Sequence, residues 1–143
     1  MIWSHGEFSI DDDRSRLDLA VVHSFLTEES YWARDRTFAQ TRTAIENSIC
    51  FGVYRKGKQV GFARVVTDKA TFAYLGDVFI VVEYRGRGLG RSLMAAVIEH
   101  PELQGLRRWV LATRDAHSLY SRFGFRQLVF PERWMERPAA DAY

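Results

Sequence analysis

The chain predicts a mixed-sheet α/β layer sandwich. Three observations carry that expectation. The element order reads β-α-α-β-β-β-α-β-α-β, residues 71–82 form one long and almost continuously apolar strand, and a glycine-rich turn leads from that strand straight into a helix. At 143 residues, 47% of them hydrophobic, the chain can bury one substantial core but is too short for two ordinary domains, so residues 1–143 read as a single domain.

The elements follow in order. A short first strand is expected around residues 8–10. Asp11 to Asp13 then offer capping groups to a helix whose apolar stripe is Leu17, Val21 and Phe25, spaced i+4. A polar and aromatic loop, residues 27–36, leads to a second helical pattern through Phe38, Arg42, Ile45 and Ile49. Residues 50–54 and 59–67 are extended and flank Arg55-Lys56-Gly57-Lys58, which predicts an antiparallel hairpin. After the Asp68-Lys69 turn comes the run 71–82, apolar enough for a central strand covered on both faces. Leu89, Leu93 and Val97 mark a third helix, which Pro101 closes. Residues 108–113 read as a strand. Asp115 is placed to cap a fourth helix carrying Leu119 and Phe123 and stopped by Gly124. Residues 125–130 and 133–137, separated by Pro131, are expected as a strand and a final edge strand, before a weakly hydrophobic tail at 138–143.

Composition excludes several function classes. A formal charge of +2 is too small to make nucleic acid the expected partner. Only Lys56, Lys58 and Lys69 among the 20 basic residues are lysines; the rest are arginines, the side chain suited to bidentate phosphate contacts. Cys50 is the sole cysteine, which rules out an internal disulfide framework and a cysteine-built zinc site. No metal site is expected, and a reducing, cytoplasmic setting fits. Residues 1–10 carry Glu7 and no apolar signal region, and no apolar run approaches membrane-spanning length, so no membrane association is expected.

The sharpest local signal is the segment from Val78 to Ser92, a strand entering a helix through Arg85-Gly86-Arg87-Gly88-Leu89-Gly90. Glycines let backbone approach a bulky phosphate and adopt positive φ, while a new helix presents unpaired N–H groups and its positive dipole end. Arg85, Arg87 and Arg91 add charge. Two rival phosphate motifs fail on spacing. A dinucleotide fingerprint starting at Gly86 needs glycine where Arg91 stands, and a P-loop needs Gly-Lys-Ser/Thr, which is absent.

What the turn does satisfy is R/Q-x-x-G-x-G/A, through Arg85, Gly88 and Gly90, and here the chain resembles the GNAT N-acetyltransferases. A second segment, Leu111 to Phe125, is similar to that family's other signature, a strand followed by A-x-x-L-Y (Ala116 to Tyr120) and ending Gly124-Phe125. The resemblance is strongest over residues 75–125 and implies a splayed central sheet with flanking helices. It implies acetyl-CoA as cosubstrate and the amine of a small molecule or peptide as acceptor. The strand before the turn would bond the pantetheine arm through the backbone of Phe79 and Ile80. The pyrophosphate would sit over the N–H groups of Arg85, Gly86, Arg87, Gly88, Leu89 and Gly90, extended by Arg91 and Ser92. Many members place an asparagine where this chain has Thr113, which offers only a hydroxyl. A homodimer is compatible with the sequence.

Acetyl transfer asks for removal of a proton from the amine and an acid for the departing thiolate, because an alkyl ammonium of pKa about 10.4 cannot attack a thioester. Tyr120 matches the tyrosine that in the family commonly donates to the thiolate; a core tyrosine on an apolar helix face is the plain alternative. Asp77 stands out physically as a carboxylate inside an apolar run, where burial without a partner is costly. It reads as a base, a base acting through water, an anchor for the amine, or a structural acid. Some polyamine-acetylating relatives carry an acid just before the matching aspartate, where this chain has Gly76. Glu83 and His117 read as solvated residues. Glu28, Glu29, Tyr31, Trp32 and Arg34 are the expected acceptor lining. With Cys50 outside both signatures, direct attack in a ternary complex is expected; the alternative functions are a noncatalytic acyl-CoA-binding or regulatory module of the same fold, or an unrelated nucleotide-binding domain.

Overall fold

A computed structural model describes residues 1–140. Its centre is one six-stranded sheet with the order β1 (Ile2–His5), β2 (Phe8–Asp11), β3 (Ile49–Arg55), β4 (Lys58–Thr67), β5 (Phe72–Ile80) and β6 (Arg108–Leu111). Neighbours are antiparallel except β5 and β6, which are parallel and joined by the crossover helix α3 (Leu89–Glu99). Helices α1 (Leu19–Glu28) and α2 (Phe38–Glu46) cover the opposite face from α3, and α4 (His117–Ser121) follows β6. The mixed-sheet layer sandwich is therefore what forms. Among the described residues no helix is long and apolar enough to cross a membrane.

Two cores, one on each face, hold the layers together. On one face Leu89, Leu93, Met94 and Val97 of α3 pack on Phe51, Val53, Val65 and Leu75. On the other, Val22, Phe25 and Leu26 of α1 and Ile45 of α2 pack on Cys50, Phe62 and Phe79, with the Phe25 and Phe79 rings stacked at 4.0 Å. The run 71–82 is not covered on both faces throughout: Ala73 and Leu75 enter the α3 core and Phe79 the α1–α2 core, while Phe72, Tyr74 and Val82 are exposed.

The ladder between β4 and β5 contains an irregularity that sets the site. The two-residue step from Phe62 to Arg64 faces a three-residue step from Gly76 to Phe79, so β5 carries one extra residue. The insertion flips the faces: Ala73 and Leu75 lie in the α3 core, whereas Phe79 lies in the α1–α2 core. Asp77 sits within it at φ 55, left-handed backbone that aspartate tolerates better than most residues.

Several elements differ from expectation. An additional strand, β1, forms a hairpin with β2 across Gly6-Glu7; it was not foreseen. The α1 cap is Asp18, not one of Asp11 to Asp13. Asp13 caps a separate 3-10 turn at Arg14–Arg16, while Asp11 accepts from Arg16 and from the Asp13 N–H. Because α1 starts later, its buried stripe is Val22, Phe25 and Leu26, sharing only Phe25 with the expected one. Ile49 belongs to β3, and α2 is fixed by a Thr37–Gln40 capping box. Asp115 does not cap α4; Thr113 Oγ1 instead accepts from the Ala116 N–H. Residues 125–130 and 133–137 form no strand. The chain leaves β6 after only four residues, and the sequence beyond Phe125 turns through a 3-10 segment at Pro131–Arg133, where proline lacks a donor for a ladder. Of the expected tail, residues 141–143 lie outside the described residues.

Candidate active site

Parallel pairing between β5 and β6 runs from Phe72 with Arg108 to Leu75 with Leu111 and stops. Beyond it β5 continues to Ile80 while the other chain turns off through residues 112–116 towards α4. The strands part, and the gap is a cleft of about 900 Å³. Its walls are Gly76 to Ile80, Leu111 to Ala116, Ser30 to Trp32 of the α1–α2 loop, and the glycine turn at one end. Phe79, Ile80, Thr113 and Tyr120 all line it, as do Arg85, Gly86, Gly88, Leu89 and Gly90; Arg87, Arg91 and Ser92 do not.

At the glycine turn a 3-10 segment, Val82–Tyr84, precedes Gly86 at φ 78 and Gly88 at φ 79, and Gly88 is the N-cap of α3 with no side chain capping it. The first N–H groups of α3 are therefore available to an anion. The side chains around them are held elsewhere. Arg85 Nε donates to the Ile80 carbonyl at 2.9 Å, and Arg87 lies over the Tyr84 ring at 5.4 Å. His5 of β1 reaches across: Nε2 faces the Arg87 carbonyl at 3.0 Å, which assigns the proton to that nitrogen and leaves Nδ1 to accept from the Ser92 hydroxyl. This tie was missed because the strand carrying His5 was not foreseen.

On the opposite wall Tyr120 is buried and packs edge-on against Phe125. Burial, with smaller contributions from Tyr31 and Asp115, pushes its phenol up to about 12, so it holds its proton at neutral pH. The Thr113 hydroxyl accepts from the Ala116 N–H at 3.1 Å.

Asp77 is buried at the floor and not free. Its Oδ1 accepts from the Trp32 indole at 3.0 Å, and its Oδ2 accepts from Arg36 Nη1 at 2.6 Å and Arg64 Nε at 2.8 Å. Burial alone would raise its pKa, but the Arg36 hydrogen bond and the two guanidinium charges outweigh it and hold the carboxyl below the usual range. The extra residue in β5 makes this possible by turning Asp77 to the face that Arg64 and the α1–α2 loop share. Of the expected acceptor lining, Glu29, Tyr31 and Trp32 reach the cleft; Glu28 and Arg34 do not, accepting from Ser24 and donating to the Ser30 carbonyl respectively. Arg36 and Arg64 were missed. Arg64 had a signal, being a lone charge inside the apolar strand 59–67, as Asp77 is in the next one. Cys50 is buried in the α1–α2 core, and burial raises its thiol to about 12.

The profile of the acetyltransferase (GNAT) family matches residues 18–125. A crystal structure of a GNAT-family protein from Xanthomonas campestris pv. campestris is 49% identical, covers 95% of this chain and 96% of its own, and superposes with a TM-score of 0.92. A candidate acetyltransferase of Gibberella zeae is 32% identical across 84% of this chain and 79% of its own length. A spermine/spermidine N(1)-acetyltransferase of Bacillus subtilis is 35% identical over 52% of this chain and 57% of its own length. With a parted β5–β6 pair, a glycine turn opening α3 and matches of this extent, the chain belongs to the GNAT family of acetyltransferases and is an acyltransferase.

Proposed function

We propose that the chain, acting as a single domain, transfers acetyl from acetyl-CoA to a primary amine by direct attack in a ternary complex. The observation that carries this reading is the parting of β5 from β6. It leaves the Phe79–Ile80 backbone edge open opposite Thr113, with free N–H donors at one end and the Tyr120 phenol on the wall. The pyrophosphate lies over residues 85–90, extended by Arg91 at the first turn of α3, while Ser92 stays bonded to His5 and to the Gly88 carbonyl. Pantetheine runs along Phe79 and Ile80, which brings the thioester towards Tyr120. Tyr120, protonated at neutral pH, gives its proton to the leaving thiolate.

The acceptor enters past Glu29, Tyr31 and Trp32. Asp77, already accepting three hydrogen bonds, acts by positioning Trp32, Arg36 and Arg64, and the amine loses its proton to water in the open cleft. An acetyl-cysteine route is disfavoured because Cys50 is buried outside the cleft with a raised pKa. The family relation supports acetyl-CoA as cosubstrate, with an expected dissociation constant on the order of 1 μM, roughly −8 kcal/mol. A thiol-release assay with acetyl-CoA against small amines, polyamines, amino acids and peptides tests the reading. Amine-dependent release of CoA is expected; acetyl-CoA binding without release for any amine would move the chain to a binding or regulatory role.

A further inference from the structure

We propose that the acceptor amine carries an anionic group, a carboxylate or a phosphate, which Arg36 and Arg64 bind at the floor of the cleft. The inference rests on the proposed acetyl transfer for its reaction, though not for its binding site. Arg36 comes from the α1–α2 loop and Arg64 from β4, and both donate to the same oxygen, Asp77 Oδ2. The other oxygen is taken by Trp32. One carboxylate thus faces two guanidiniums, which leaves a positive charge over. Gly76 stands beside Asp77, so β5 contributes no second acid there.

The Arg36 and Arg64 side chains are only 20% and 14% exposed, and both line the cleft. Excess charge held that far from water is costly unless a counterion joins it. A guanidinium is a planar fork matched to carboxylate or phosphate, and Arg36 uses only one of its nitrogens on Asp77. The remaining charges of the cleft are arranged to suit a two-poled acceptor. Glu29 and Asp115 are exposed, Arg114 lies over the Tyr31 ring at 3.9 Å, and Arg85 belongs to the glycine turn. An ammonium finds acids at the exposed rim, and an anion finds arginines below. A polyamine would place a cation against the guanidinium pair.

Kinetics on the intact chain with matched amines test this: L-alanine against L-alaninamide, glucosamine 6-phosphate against glucosamine, and spermidine. The same compounds are titrated by calorimetry into CoA-saturated protein. At least one anionic amine should exceed its uncharged counterpart and spermidine by about tenfold in kcat/KM, and the two pairs tell carboxylate from phosphate. Arg36→Gln leaves Asp77 paired with Arg64 and Trp32, so the fold should hold. It should raise KM for the preferred anionic amine about tenfold more than for its uncharged counterpart, while Arg36→Lys should restore part of the loss. Absence of preference within both pairs, highest kcat/KM for spermidine, or equal damage to charged and uncharged amines would overturn the proposal. If acetyl-CoA binds and no amine is acetylated, the transfer reading fails while calorimetry still decides this one. Binding of an anionic amine that Arg36→Gln abolishes upholds it, and absence of such binding overturns it.

Discussion

The two ends of the cleft handle charge in opposite ways. At the glycine turn the donors are backbone N–H groups of one contiguous segment, shaped by Gly86 and Gly88, while the side chains of Arg85, Arg87 and Ser92 are tied to Ile80, Tyr84 and His5. At the floor the donors are side chains from the α1–α2 loop and β4, gathered by one carboxylate on β5. The first end should tolerate changes of side chain and resist an added Cβ. The second should do the reverse, since its geometry exists only while Asp77 holds it.

The largest effect is therefore expected at Asp77. Asp77→Asn leaves two partly buried guanidiniums without their anion and should cost about 3 kcal/mol of stability, read as a lowered Tm and denaturation midpoint. Acetyl-CoA affinity of the folded fraction should change little. The pH dependence has a definite sign. Because the folded carboxyl lies below its ordinary value, its contribution is fully present above the unfolded pKa of about 3.9 and is lost as pH falls through the folded one. The stability gap between wild type and Asp77→Asn should be flat above about pH 5 and close as the solution is acidified below about pH 4. A variant of wild-type stability that has lost turnover would instead make Asp77 a base and break the comparison.

Tyr120 stands on the wall between the ends. Tyr120→Phe should keep acetyl-CoA affinity and stability near wild type while turnover falls about 100-fold, provided the phenol is the acid that protonates the thiolate. Phenylalanine keeps the packing on Phe125, so a folded variant isolates the hydroxyl. Wild-type turnover would remove Tyr120 from the chemistry.

The same contrast explains what the sequence made legible. The glycine turn was readable because its parts are neighbours: Arg85, Gly88 and Gly90 sit at fixed offsets, and the helix that completes the site follows at once. The layer architecture was readable from the run 71–82 and from helices with one apolar face. The floor was not, since Trp32, Arg36, Arg64 and Asp77 meet only after β5 gains its extra residue, and no local pattern announces that insertion. Residues 125–130 looked like a strand because composition cannot report that β6 ends after four residues. Asp115 looked like a cap, but α4 begins one residue later, with Ala116 as N-cap, and Thr113 accepts the Ala116 N–H.

Gly88→Val tests the glycine end directly. A β-branched residue at φ 79 is strained whatever the space around it, although its Cβ would make only van der Waals contact with His5 Cε1 at 3.4 Å. The turn would have to shift, and acetyl-CoA affinity should fall about tenfold by calorimetry. Every arginine remains in this variant, so unchanged affinity would mean that charge and not backbone geometry holds the cofactor.

His5→Ala should have the smallest effect, and it separates local from long-range order at the glycine turn. His5 is the one side chain from the β1–β2 hairpin that hydrogen-bonds the turn, through the Arg87 carbonyl and the Ser92 hydroxyl. Removing it frees that carbonyl to water and releases Ser92, whose hydroxyl then becomes available to a phosphate oxygen and offsets part of the loss. The glycine conformations and the α3 N–H groups do not depend on His5. Acetyl-CoA affinity should weaken only about threefold, with the Tm nearly unchanged. A loss as large as that of Gly88→Val would show that the turn is held from outside, by the hairpin, and that its two glycines alone do not preorganise it. In that case both ends of the cleft would be long-range constructions, differing only in how openly the sequence displays them.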